Sequence, residues 1–175
     1  MLEGTIAASA MKAVASSVIS IGAKYHGYEL GKRKEDDLTV RKKMMDEITK
    51  SRGHLMNIIE EAHGKGDSDT TNAAKKTIDE LDLLQNDINL SETGHKYSFF
   101  SQQTSINIKT LNQLIEYDKK MITHLENVTE TSKKLALAIV DEEQTDSAWE
   151  LKRIRQYVST CRDDYKNRRD IIRRL

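Results

Sequence analysis

Residues 151–175 read LKRIRQYVSTCRDDYKNRRDIIRRL, and this stretch decides the fold class. Leu151, Ile154, Val158, Cys161, Tyr165, Arg168, Ile172 and Leu175 follow one another at alternating spacings of three and four. They therefore lie along one face of an α-helix. A seam this strict is the pattern of a helix packed against other helices in coiled-coil fashion. Arg168 is its one polar interruption.

Upstream the pattern recurs. Ile108, Leu111, Ile115, Ile122, Leu125, Val128, Leu135 and Ile139 predict a helix that begins after Ser98 or Ser101, its seam broken at Asp118 and Ser132. Asp141, Glu142 and Glu143 sit badly at a helix C-terminus and well before a new N-terminus. A turn is therefore expected near Gln144, with Thr145 or Ser147 capping and a capping-box spacing from Ser147 to Glu150. Ala74, Ile78, Leu81, Leu84 and Ile88 predict another helix, opened by Asp67, Ser68 or Asp69 and closed by Gly94. Leu38, Arg41, Met45, Ile48, Arg52, Leu55, Ile59 and Ala62 predict the first long helix, ended by His63-Gly64-Lys65-Gly66. The polar seam residues Arg41, Arg52, Asp118, Ser132 and Arg168 are read as pairing inside the bundle to fix its register, or as marking where a seam meets solvent.

Composition agrees with an all-helical chain. Across 175 residues there is no proline, only eight glycines, two phenylalanines and one tryptophan, which is poor material for strands. Apolar residues make up 37% and charged residues 32%, a balance suited to long helices with a narrow buried stripe. The expected fold is all-α, an antiparallel bundle of four to five long helices with an N-terminal small-residue helix. Residues 1–31 would form that front helix and 32–175 the bundle.

The front segment, AASAMKAVASSVISIGAKYHGYELG from Ala7 to Gly31, is almost uncharged until KRKEDD follows at Lys32. In helical register Ala7, Met11, Val14, Val18, Ile21, Tyr25 and Tyr28 form one stripe. Ser9, Ala13, Ser16, Ser20, Ala23 and Gly27 form a second that carries no side chain larger than serine. Such a face lets another backbone approach closely, so these six residues are the expected contact with a protein partner or a second copy of the chain. The segment has the length of a membrane span, but it is built from Ala and Ser and offers weak driving force for insertion. Gly22, Gly27 and Gly31 mark a hinge before Lys32.

Catalytic constellations are hard to find. The five histidines are scattered, and a Glu-x-x-His pair at Glu60/His63, echoed at Glu92/His95, lacks the lone glutamates a di-metal site draws from other helices. Cys161, the one cysteine, excludes an intramolecular disulfide and lies on the apolar seam, where a small hydrophobe is expected. No phosphate loop, nucleophile elbow or zinc spacing occurs. The expectation is a non-enzyme with no catalytic residue, no metal and no cofactor.

Net charge is zero, yet residues 32–53, 67–146 and 150–175 carry +3, −7 and +5. Lys152, Arg155, Arg162, Arg169 and Arg173 on the last helix form a candidate basic patch for an anionic polymer. The acidic middle of the chain counts against nucleic acid, as does the absence of a free aromatic platform, because Tyr157 and Tyr165 fall on or near the seam.

In outline, a small-residue front helix ahead of a helical bundle resembles cell-death and pore-forming executioner domains. The resemblance implies a membrane-active protein whose front helix leaves the bundle and inserts. The residues themselves favour protein association or self-assembly by a cytoplasmic protein, with a membrane as the alternative partner.

Overall fold

The seams fold as helices. A computed structural model describes residues 21–91, 98–100, 107–143 and 145–175. Among these the fold is all-helical, with α1 at Arg33–Gly64, α2 at Ser68–Asn89, α3 at Ile108–Val140 and α4 at Ser147–Arg174. A single 3₁₀ turn spans Ser98–Phe100. The helices pack in the manner of a bundle, and no strand occurs among the described residues.

The chain divides into two compact units. One draws on the described parts of Met1–Met44, Ser91–Thr123 and Asp164–Leu175, the other on Met45–Leu90 and His124–Asp163. They are called here the first and second unit.

In the second unit local chemistry sets the helix ends. Gly66, at φ +72°, takes the left-handed position after α1, and the Asp67 and Gly66 amides bond back to Ala62 O and His63 O at 2.9 and 3.1 Å. That is a Schellman stop, and it needs the conformational freedom of glycine. Asp67 then caps α2, its carboxylate accepting the Thr70 amide at 3.0 Å. The same stop ends α3: the Glu143 amide bonds Ala138 O at 3.0 Å while Glu142 sits at φ +58°. Here a non-glycine residue holds the left-handed position. At the start of α4 Asp146 is the capping side chain, accepting the Trp149 amide at 3.0 Å, rather than Thr145 or Ser147. Its carboxylate reaches the free amides of the first turn, and Glu150 pairs with Arg153 instead of closing a capping box.

The second unit's core holds Ile48, Leu55, Ile58, Ala74, Leu81, Leu84, Leu125, Val128, Leu151, Ile154, Val158 and Cys161. The seams read for α2 and α4 are buried throughout. That of α1 needs correction: Leu38 and Arg52 face solvent, and the buried line runs through Val40, Met44, Ile48, Ser51, Leu55, Ile58 and Ala62. Small polar Ser51 belongs inside because Thr129 on α3 satisfies its hydroxyl at 2.9 Å, whereas a long Arg52 reaches out to Asp82 at 3.1 Å. Helix α2 ends at Asn89, short of Gly94, and α3 begins at Ile108, after Ser101 as expected.

Candidate functional site

The first unit contains a buried polar network, built around a stretch that is not helical. Helix ends at Ile21 among the described residues, and the chain resumes helical form only at Arg33. Residues 22–32 fold as a strap with Gly22, Gly27, Tyr28 and Gly31 at positive φ. This corrects the helical reading of the front segment through Gly31. Ala23 lies exposed in a turn and Gly27 is buried in the strap, so neither continues a helical stripe. Ser9, Ala13, Ser16 and Ser20 lie outside the described residues.

The acids that follow the strap hold it. Asp36, fully buried in the first turn of α1, accepts the His26 amide at 2.9 Å and the Tyr28 amide at 2.6 Å. Its Oδ1 also lies 3.1 Å from His26 Nδ1. Tyr28, at φ +62°, is thereby fixed in a backbone conformation that non-glycine residues seldom adopt. Its phenol donates to Asp118 on α3. Arg168 on α4 completes the cluster, donating from Nε to Asp118 Oδ1 at 2.5 Å and from Nη2 to Asp37 Oδ1 at 2.6 Å and to Tyr28 Oη at 2.9 Å. Burial pushes the Asp118 carboxyl up, against the pull of Arg168 and the Tyr28 hydroxyl. Arg168 is held as a cation: desolvation opposes its charge, and Asp118, Tyr28 and Asp37 together outweigh it.

An aromatic stack closes over this network. Tyr25 meets Tyr28 edge-on at 5.5 Å, Tyr28 meets Phe99 at 5.4 Å, and Phe99 meets Phe100 at 5.0 Å. Buried Arg33 donates to Phe99 O at 3.1 Å and lies over its ring. Burial pushes the Tyr25 and Tyr28 phenols well above the usual tyrosine range, so both stay neutral. Asp118 is 0% exposed, Tyr28 1% and Arg168 2%. The buried cluster is a latch that joins strap, α1, α3 and α4.

Of the polar seam residues, Asp118 and Arg168 pair inside, and Arg41 braces Asp37 at 3.2 Å. Ser132 is buried, its hydroxyl without a hydrogen bond among the described residues, and Arg52 is exposed. The network's partners at Tyr28, Asp36 and Asp37 were not identified from sequence. The available signal was the pair of acids next to a tyrosine-rich stretch, together with an acid and a base interrupting two otherwise apolar seams.

The candidate basic patch is divided between the units. In the second, Arg162 is tied to Asp87 at 2.6 Å, a hydrogen bond that holds its guanidinium protonated, and it also meets Glu80. Lys152 and Arg155 line a shallow groove beside Trp149, where Asp69 and Asp146 offset their charge. In the first, Arg173 pairs with Asp170 and Arg169 borders a small cavity. Tyr165 is buried, but Tyr157 and Trp149 are about half exposed, which corrects the expectation that Tyr157 lies in or near the seam.

A wider groove in the first unit, about 1460 Å³, runs between α3 and α4 past Ile108, Tyr117 and Ile171. Amides and mixed charges line it, with no histidine, cysteine or serine. No three His, Cys, Asp or Glu side chains converge as metal ligands among the described residues, and His63 is exposed. Glu92 and His95 lie outside the described residues. No described helix is long and apolar enough to cross a membrane. Comparison with protein-family models, with curated proteins and with solved structures returns no match.

Proposed function

We propose that this helical protein works by association with other protein surfaces, without catalysis, and that residues 1–20, with the small face Ser9, Ala13, Ser16 and Ser20, form the contact. The observation that carries this reading is the latched strap. A continuous helix would have run the small face straight into α1; the chain instead leaves helical form at Gly22 and is pinned by Asp36, Asp118 and Arg168 before α1 begins. The latched strap thus stands in the chain between residues 1–20 and α1. Small side chains then allow close helix approach, and a second copy of the chain is the simplest partner for a self-complementary face.

Cross-linking tests the contact. Cys161 is fully buried, so a cysteine introduced as Ser16→Cys or Ser20→Cys is the reactive thiol. The expected result is a covalent dimer formed by a short thiol-to-thiol linker at both positions and not at exposed Lys24→Cys. Equal yields at all three positions would refute the reading.

A further inference from the structure

We propose that a cavity inside the first unit is a binding site for one small monovalent anion of the halide class. The cavity has a volume of about 20 Å³ and is lined by Asp37, Ser91, Phe100, Tyr165, Arg168 and Arg169. That volume admits one particle of roughly water size, as a cavity needs only about 10–15 Å³ to do so, and it excludes phosphate, sulfate or a carboxylate.

The lining presents unused donors. Tyr165 is fully buried, and its hydroxyl donates to no acceptor among the described residues. Burial pushes the phenol up against the opposing pull of Arg168 and of a side-chain hydrogen bond with Ser91, which leaves it protonated and thus able to donate. Arg169 Nε is likewise buried and unpartnered among the described residues. An arginine Nε only donates.

Charge selects an anion over water. The carboxylate on the cavity wall is already engaged, Asp37 Oδ1 by Arg168 at 2.6 Å and Oδ2 by Arg41 at 3.2 Å. Asp118 is engaged by Arg168 in turn. Arg169 forms no ion pair among the described residues, so its guanidinium is the local excess charge. Water would satisfy the two donors and leave that charge unbalanced; a halide does both. Phe100 and the ring of Tyr165 supply the apolar wall that a weakly hydrated ion tolerates.

An anion that binds only the folded chain stabilises it by mass action. The test is thermal unfolding of the full chain at fixed ionic strength in sodium chloride, sodium bromide and sodium gluconate, for the wild type, Arg169→Gln and Tyr165→Phe. Gluconate is too large for the cavity. The expected result is a higher Tm in chloride and bromide than in gluconate, reduced in Tyr165→Phe and lost in Arg169→Gln. A Tm indifferent to the anion, or a chloride effect equal in all three proteins, would overturn the proposal. Should Arg169→Gln fail to fold, crystals of the wild type grown in bromide decide the matter. An anomalous peak between Tyr165 and Arg169 supports the site, and a water there refutes it.

Discussion

Arg168 on α4 donates from Nε to Asp118 Oδ1 on α3 at 2.5 Å, and both side chains are almost wholly buried. Each is the polar break in an otherwise apolar seam of the sequence. Breaking one partner of a buried pair leaves a charge without its counterpart, and such losses run to about 3–5 kcal/mol. Asp118→Asn is expected to fall at the lower end, because Asp37 still faces Arg168 at 2.6 Å. Urea unfolding measures it; a loss below about 1 kcal/mol would mean that the pair behaves as a surface salt bridge.

Tyr28→Phe removes one hydroxyl from the same network. Asp118 Oδ2 then loses its donor and Arg168 Nη2 loses an acceptor, while the ring contacts at Tyr25 and Phe99 persist. A cost of about 1–3 kcal/mol is expected for leaving buried groups unsatisfied. An unchanged unfolding midpoint would show that the hydroxyl is not structural.

Asp36→Ala should release the strap before it unfolds the bundle. The His26 and Tyr28 amides both bond to that carboxylate, so hydrogen exchange at these two positions should accelerate more than in the core of α4. Uniform acceleration across the chain would contradict the latch.

Glu142→Gly addresses strain in the second unit. Glu142 holds the left-handed position of the α3 stop at φ +58°, where glycine escapes a penalty of about 1 kcal/mol. The variant should melt higher, less the small contribution of the 3.7 Å contact with Lys65. A lower Tm would show that this contact outweighs the strain.

Asp67 gives a pH signature. Hydrogen bonds from Thr70 hold its carboxyl below the ordinary aspartate value of 3.8. A lowered acid contributes stability that is complete above the unfolded value and fades as pH falls through the lower, folded one. Asp67→Ala should therefore cost about 1 kcal/mol near neutrality, with the gap to wild type closing on acidification below that value. A gap independent of pH would remove the charge from the argument.

Periodicity made most of the fold legible. The α4 seam is buried from Leu151 to Leu175 as read, and α2 follows Ala74, Ile78, Leu81, Leu84 and Ile88. The α1 seam slipped because Ser51 inside the core is invisible to hydropathy, its place depending on Thr129 far along the chain. The strap was missed for a related reason: Tyr25 and Tyr28 keep helical spacing, but positive φ at Gly27 and Tyr28 and capture by Asp36 override it. Local propensity cannot report a carboxylate that bonds eight to ten residues back. The candidate site was legible only as two polar interruptions, since their pairing is a tertiary fact.

The central claim is that residues 1–20 carry an association surface, and solution mass tests it most directly. Light scattering across a concentration series should show the full chain forming oligomers, and Ser16→Leu/Ser20→Leu should return it to a monomer by filling the small face. A wild-type chain that stays monomeric at every concentration would contradict self-association, as would oligomers that persist unchanged in the bulky variant.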